Sequence, residues 1–223
     1  MGENDALYKC PMFKGVTPEE VSSMLGCLGS HRHTYEKGEY IYNMGDTVTS
    51  LGIVLSGGVR LESVDAWGHV SVIGHVGPGE TFAETYASLP GEPLLHSVIA
   101  DAPTEVMFLV VRHMLKPCKH ACPHHQRLSL NMHTVLAQKN LALSQRIFNV
   151  TPKTIRGKVI SFLSSVARKM GSSEFDIPYN RQQLADYLGV DRSALSSELS
   201  RMQDEGLIET RRSHFVLHVD AGE

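Results

Sequence analysis

Hydrophobic residues in the first half of the chain come in short runs that turn residues separate. Between residues 33 and 111 these runs are rich in β-branched and aromatic side chains, and they lie at 40–42, 52–55, 59–61, 70–73 and 97–99. Glycine-containing turn signals fall between them. Several short strands at such spacing predict an antiparallel β-roll, a double-stranded β-helix of the cupin-like type. A short helix that opens at Thr17 and Pro18 precedes the roll.

Beyond residue 111 the hydrophobic pattern takes on the period of a helix. One broad apolar stripe runs over about 25 residues and consists of Leu128, Met132, Val135, Leu136, Leu143 and Ile147. A helix of this length between two domains is typical of a dimerisation helix. Pro152 breaks the pattern, and a further helix is predicted over about residues 154–170.

Two short amphipathic patterns meet at Gly189, which allows the positive φ that a tight turn between helices requires. The inward stripe of the first helix is Leu184, Ala185 and Leu188. Asp191 takes the N-cap position of the second helix, whose inward stripe is Leu195, Leu199 and Met202. The open face of the second helix consists of Arg192, Ser193, Ser196 and Ser197. This pattern predicts a helix-turn-helix, which presents such positions to base edges in the major groove of DNA.

The sequence after the second helix predicts a wing of two strands. Arg211 and Arg212 lie at its tip, where a wing meets phosphates, and Arg181 is a third expected phosphate contact. Two alternatives stay open, because the same pattern also fits an αα-hairpin packed into a core or a helical domain that binds protein. Residues 151–223 hold ten Lys/Arg and ten Asp/Glu, so they form no broad basic patch.

Length and composition fit two modest domains joined by a helix. The chain has 223 residues and a net charge of −3. The predicted division is a β-roll sensing domain over residues 1–116, a hinge and dimerisation helix over 117–150, and a winged-helix domain over 151–223. No segment has the length and apolar character of a membrane span, and the first residues lack a signal-peptide pattern. We therefore expect a cytoplasmic protein whose four cysteines form no structural disulfides.

Four segments carry a resemblance to a known family: residues 45–46, 55–59, 77–82 and 181–195. In this order, with a roll, a long helix and a winged helix, the chain resembles the CRP/FNR family of bacterial transcription regulators. The resemblance implies a homodimer on a roughly palindromic DNA site, with RNA polymerase as a further partner. It also implies an effector that reorients the DNA-binding domains. The implied effector pocket consists of Phe82, Glu84, Leu94, Leu95, Leu136 and Leu143.

The chain departs from the family members that bind cyclic AMP. In those members a Gly-Glu pair holds the ribose, and the arginine of a later Arg-Ser pair holds the cyclic phosphate. Here Glu84 is kept, Ala83 replaces the glycine, and Leu94 and Leu95 lie at about the Arg-Ser position. Because no cation remains to pair a buried phosphate, we expect an effector other than cyclic AMP.

Two further departures concern DNA reading and iron–sulfur chemistry. The glutamate and later arginine that many members use to read bases correspond to Ser193 and Ser197, while Arg192 remains for guanine. A half-site unlike the usual family consensus is therefore expected. The oxygen-sensing members carry a tight N-terminal cysteine cluster, whereas Cys10 and Cys27 are widely separated here.

Cysteines and histidines cluster just before the long helix. The candidate ligands are Cys118, His120, Cys122 and His125. If Pro123 is the first helical residue, the positive helix end stabilises a thiolate at Cys122 and keeps His125 neutral. A metal, haem or iron–sulfur centre is one interpretation. A thiol redox switch and a purely structural role are the other two.

A rival hypothesis from another class is a metal-dependent β-roll enzyme. Its ligands would be His31, His33 and His75, since cupin enzymes bind metal through strand histidines. No nucleophile motif, phosphate loop or paired-carboxylate arrangement accompanies them. We therefore expect a protein that is not an enzyme.

Overall fold

The computed structural model describes residues 5–115 and 123–218. Its α-helices are α1 (Asp5–Lys9), α2 (Pro18–Leu25), α3 (Glu84–Ser88), α4 (Val111–Leu115), α5 (Pro123–Val150), α6 (Ile155–Met170), α7 (Arg181–Leu188) and α8 (Arg192–Asp204). Its strands are β1 (His31–Tyr35), β2 (Tyr40–Tyr42), β3 (Ser50–Ser56), β4 (Val59–Val64), β5 (Val70–Val76), β6 (Thr81–Phe82), β7 (Ser97–Ala100), β8 (Thr104–Val110), β9 (Glu174–Asp176), β10 (Ile208–Arg211) and β11 (His214–Leu217). The chain divides into two compact units, Met1–Gln138 and Lys139–Glu223, and the boundary falls within α5.

The strands of the first unit form two four-stranded antiparallel sheets, in the orders β1-β8-β3-β6 and β2-β7-β4-β5. Gly52 on β3 lies opposite Phe82 on β6. A Cβ atom at Gly52 would lie 2.1 Å from the Phe82 ring, so only glycine lets this ring cross the strand. The phenylalanine then packs edge-on against Phe108 and Tyr42 inside the roll.

Helices close one side of the roll. Thr17 and Glu20 form a capping box that starts α2, because each side chain accepts a hydrogen bond from the other residue's backbone N–H. The first half of α5 packs on this N-terminal segment, and the Asn131 side-chain amide donates to the carbonyls of Met12 and Lys14, both at 2.9 Å. The core residues that α5 contributes here are Leu128, Met132 and Val135.

The second unit has its own core, built by α6, α7, α8 and a three-stranded sheet in the order β10-β11-β9. Thr154 caps the start of α6, and Gly171 at φ 65° ends it. The largest of the buried side chains in this core are Phe162, Phe175, Phe215, Leu163 and Met202. The unit is thus a helical domain with a small sheet.

The predicted α+β fold is confirmed in its order and its parts: a β-roll, a long helix and a winged helix-turn-helix. The predicted apolar stripe of the long helix is only partly buried. Leu128, Met132 and Val135 lie in the core, whereas Leu143 and Ile147 are more than 60 % exposed. Among the described residues, no helix combines the length and the apolar character that crossing a membrane requires.

Candidate functional site

The turn between α7 and α8 has the geometry that the sequence predicts. Asn180 caps α7 in a capping box with Gln183, and Gly189 takes φ 61° just after the helix. Asp191 caps α8, because its Oδ1 accepts from the backbone N–H groups of Ser193 and Ala194 at 2.8 and 2.9 Å. A hydrogen bond from the Ser193 hydroxyl is the main cause that lowers the pKa of Asp191, and these backbone hydrogen bonds add to it.

The open face of α8 gathers the four residues that the sequence singles out. Leu195, Leu199 and Met202 are buried against α6 and the sheet, so the opposite side of the helix is free. Arg192, Ser193 and Ser197 are exposed there, and Ser196 is half-buried. The structure thus places these four side chains together near the start of α8.

An ion-pair network fixes α8 on α6. The Arg156 guanidinium donates to Glu198 at 2.6 Å and, through two nitrogens, to Glu205 at 2.8 Å each. These bonds raise the pKa of Arg156 and lower that of Glu205, with the hydrogen bonds to the partner side chain as the main cause in each. Sequence reasoning missed this bidentate brace, because the partners lie more than 40 residues apart.

The wing presents two arginines, and a third is packed beneath it. Arg211 and Arg212 are exposed, and Arg212 occupies the left-handed region at φ 58° in the turn between β10 and β11. Arg181 is half-buried: its guanidinium lies 5.8 Å from the Phe215 ring centroid and donates to the Thr210 hydroxyl at 3.5 Å. Burial lowers the pKa of Arg181. Arg181 therefore packs against both strands of the wing, and its charge also lies at the edge of the wing.

The end of α5 is part of the second unit through a polar cluster around Asn149. The buried Asn149 side chain donates to the Tyr187 hydroxyl at 3.1 Å and accepts from Gln145 and Ser161, both at 3.2 Å. The Arg146 guanidinium lies 5.6 Å from the Tyr187 ring centroid. These contacts tie the last turns of α5 to the first helix of the helix-turn-helix, and the sequence pattern gave no sign of them.

In the roll, the expected pocket residues have different surroundings. Phe82, Glu84 and Leu94 are buried, and Glu84 starts α3 just after Ala83, which takes the left-handed φ of 59°. Leu95 points to solvent with 70 % of its surface exposed, although it is next to Leu94. Of the two α5 residues expected there, Leu136 packs on the roll core, whereas Leu143 belongs to the second unit and is exposed.

A half-buried histidine that sequence reasoning missed lies close to Glu84. The His96 ring packs edge-on against Tyr86 with 5.7 Å between centroids. Burial lowers the pKa of His96, and the nearby Glu84 carboxylate opposes this effect in part. Ser97 follows it at the start of β7, and its hydroxyl accepts from the Met44 N–H at 2.9 Å.

The cysteine and histidine candidates are described only in part. Cys118, His120 and Cys122 lie outside the described residues. His125 is 6 % exposed, and its Nδ1 atom finds no hydrogen-bond partner in the described part of the chain. Of the other two cysteines, Cys10 is buried and Cys27 is exposed.

The three histidines of the rival enzyme hypothesis do not form a site. His31 stacks on Phe108 and His33 contacts Tyr35, both on the sheet that contains β1. His75 lies on β5 in the other sheet, 3.4 Å from an Asp101 carboxylate oxygen. Within residues 5–115 and 123–218, no group of three or more His, Cys, Asp or Glu side chains could hold a metal ion.

Comparison with known proteins gives two domain matches. The model of the cyclic nucleotide-binding domain matches residues 32–120, and that of the Crp-like helix-turn-helix domain matches residues 157–221. The cyclic AMP receptor protein of Thermus thermophilus is 28% identical over 201 residues, which cover 89% of this chain and 88% of that protein. Electron transport regulator A of Shewanella oneidensis is 21% identical over 193 residues, which cover 82% and 72%.

A solved structure agrees with these matches. The Thermus thermophilus catabolite activator protein has a TM-score of 0.51 and 26% identity to this chain, and the similarity covers 93% of each. The two domain models match in the order roll, then helix-turn-helix, as the fold requires. The rival hypothesis of a metal-dependent enzyme is therefore wrong. The chain belongs to the CRP/FNR family of DNA-binding transcription regulators and is not an enzyme.

Proposed function

We propose that this regulator is a homodimer that reads a specific DNA sequence through α8 and the wing and responds to an effector in the roll. The observation that carries the proposal is the open face of α8 beside an arginine-tipped wing. Arg192 would donate to O6 and N7 of a guanine, with Ser193, Ser196 and Ser197 against neighbouring bases. Arg181, Arg211 and Arg212 would meet phosphates. RNA polymerase is the proposed protein partner and the cytoplasm the proposed location.

Selection from a library of random DNA duplexes tests the reading of sequence. The full-length protein should enrich a motif with two-fold symmetry, and Arg192→Ala should enrich none while keeping its melting temperature. Affinity for the enriched duplex should fall steeply with salt, because phosphate contacts release counterions. Failure of the wild-type protein to enrich any motif would favour a helical domain that binds protein instead.

Exposed apolar side chains on α5 support the homodimer. Five of them are at least 59 % exposed: Leu130, Leu141, Leu143, Ile147 and Phe148. Leu141 and Phe148 are seven residues apart, so they lie on one face of the helix, as in a two-stranded coiled coil. A single chain exposes these apolar side chains to water, and pairing α5 with a second copy would bury them, which is favourable.

Light scattering after size-exclusion chromatography tests the homodimer. The wild-type protein should have twice the mass of one chain, and Leu141→Glu should shift it to the mass of one chain. Ala142→Glu adds the same charge at an exposed position about 100° around α5 from Leu141 and should leave the dimer intact. A wild-type protein with the mass of a single chain would contradict the proposed dimer.

The charge inside the roll supports an effector other than cyclic AMP. Among the described residues the buried polar side chains are Thr81, Glu84, Ser97, Thr104, His125 and Asn149, with no lysine or arginine among them. A buried phosphate anion would therefore find no buried lysine or arginine among the described residues to pair with, and leaving such a charge unpaired is costly. Calorimetric titration with cyclic AMP should therefore give no binding, and a micromolar Kd for cyclic AMP would contradict this part of the proposal.

A metal or redox sensor is the second candidate for the effector, because the His125 Nδ1 atom is buried with no partner in the described residues. Imidazole nitrogens are common ligands of metals and haem iron in proteins. Cys118, His120 and Cys122 are its neighbours in sequence. The absorption spectrum and metal content of protein purified without oxygen test this candidate. A metal that His125→Ala loses would support it, and metal-free wild-type protein would exclude a resident metal.

A further inference from the structure

Three serine hydroxyls on or beside the open face of α8 already donate their protons to neighbouring groups of the chain. The Ser193 hydroxyl donates to Oδ1 of Asp191. The Ser196 hydroxyl donates to the carbonyl of Arg192 at 2.9 Å, and that of Ser200 donates to the carbonyl of Ser196 at 3.1 Å. A serine hydroxyl has one proton to donate and two lone pairs that accept. Three serines of this face therefore present lone pairs outward.

Asp191 adds a charged acceptor at the start of the same face. Its hydrogen bonds from the Ser193 N–H, the Ser193 hydroxyl and the Ala194 N–H all go to one carboxylate oxygen, Oδ1. Its other oxygen, Oδ2, accepts none of these three hydrogen bonds, and the side chain is exposed next to Arg192. The beginning of α8 thus carries one strong donor, the Arg192 guanidinium, among several acceptors.

The major groove distinguishes such a face by its hydrogen-bond pattern. Cytosine and adenine present amino groups there, which donate, whereas guanine and thymine present keto oxygens, which accept. An acceptor next to a keto oxygen places two lone pairs against each other, and the negative charge of Asp191 adds repulsion. Arg192 has the opposite preference, because it only donates.

We infer, on the basis of the proposed DNA-reading function, that Asp191 and Ser196 are specificity-determining residues that select amino-bearing bases, adenine or cytosine, beside the guanine read by Arg192. Of the two residues, Asp191 discriminates more strongly between bases, because hydrogen bonds to a charged acceptor are roughly twice as strong as neutral ones. Ser196 discriminates through its lone pairs at a second position.

An Asp191→Asn variant separates base selection from helix capping. Asparagine caps a helix as well as aspartate does, so α8 should keep its start. If the amide oxygen takes over the place of Oδ1, the outward atom changes from an acceptor to an NH2 donor. The base preference at one position should then change from adenine or cytosine to guanine or thymine.

The test repeats the random-duplex selection with four full-length proteins: the wild type, Asp191→Asn, Ser196→Ala and Ser22→Ala. In the matched control the Ser22 hydroxyl also donates to a carbonyl four residues earlier, that of Pro18, but on α2. We expect Asp191→Asn to invert the base preference at one position of the motif, with a change of about tenfold in relative affinity. Ser196→Ala should lose the base preference at another position. Ser22→Ala should give the wild-type motif, and melting temperatures should show that all four proteins fold.

Two outcomes would overturn the inference and are distinguishable. If the wild type enriches a motif that Arg192→Ala fails to enrich, while Asp191→Asn and Ser196→Ala enrich the unchanged motif, the DNA-reading function stands. Asp191 and Ser196 then have only a capping and helix-surface role. If the wild type enriches no motif, both the inference and the proposed function fail.

Discussion

Replacing Arg212 by glycine should strengthen the fold and weaken DNA binding at the same time. Arg212 has φ 58°, a left-handed conformation that costs a non-glycine residue roughly 1–2 kcal/mol. Glycine removes this strain but gains more freedom in the unfolded chain, which offsets about 0.5–1 kcal/mol. The Arg212 side chain is exposed and has no hydrogen bond or ion pair to another described residue, so no contact is lost. The free energy of unfolding should rise by about 0.5–1 kcal/mol.

The expected effect on DNA has the opposite sign. If each wing places Arg212 on a phosphate, a dimer loses two such contacts, and the slope of log affinity against log salt falls by about 2. Urea unfolding and fluorescence anisotropy across a series of salt concentrations measure the two effects on one preparation.

The matched control is Arg211→Gly, which removes the same charge from the neighbouring position. Arg211 pairs with His214 in the β10–β11 ladder and lacks a positive φ, so glycine there should cost about 0.5–1 kcal/mol of stability. Lower stability in Arg212→Gly, or an unchanged salt dependence, would refute the reasoning that strain is kept at the wing tip for a phosphate contact.

Three further changes test the packing of the two units. Gly52→Ala places a methyl group against the Phe82 ring and should lower the free energy of unfolding, measured in urea, by about 1–3 kcal/mol. Asn149→Ala leaves the Tyr187 hydroxyl without its donor and should cost about 1–3 kcal/mol in the same assay. Because burial lowers the pKa of His96 below its unfolded value of 6.5, its contribution to stability is present above pH 6.5 and is lost as the pH falls below it. His96→Gln should therefore flatten the decline in unfolding free energy below pH 6.5, and an equal decline in both proteins would count against this.

The helix-turn-helix could be predicted from sequence because its signals are local. Gly189 supplies the turn and Asp191 the cap, and the period of the apolar residues fixes which side of α8 is open. The orientation of Arg181 over Phe215 depends instead on residues 34 positions apart, and no periodicity encodes it.

The effector region was harder to predict for a related reason. Leu94 and Leu95 are equally apolar neighbours, but backbone hydrogen bonds join Leu94 to Gly45 and Asp46, and in the folded chain Leu94 is buried while Leu95 is exposed. The approach of His96 to Glu84 arises when the residue before β7 packs against Tyr86 of α3, so neither residue signals it alone. Local sequence patterns thus predict the helices, the strands and the exposed face of α8. Polar contacts between elements can be identified only once the chain is folded.

Hydroxyl-radical footprinting on the enriched duplex tests the central claim most directly, because it shows where two copies of α8 and the wing meet DNA. We expect two protected segments on one side of the duplex, with centres one helical turn, about 10–10.5 base pairs, apart. The protection should disappear in Arg192→Ala at equal protein concentration. A single protected segment would contradict the dimer, and full protection by Arg192→Ala would contradict the reading of DNA by α8.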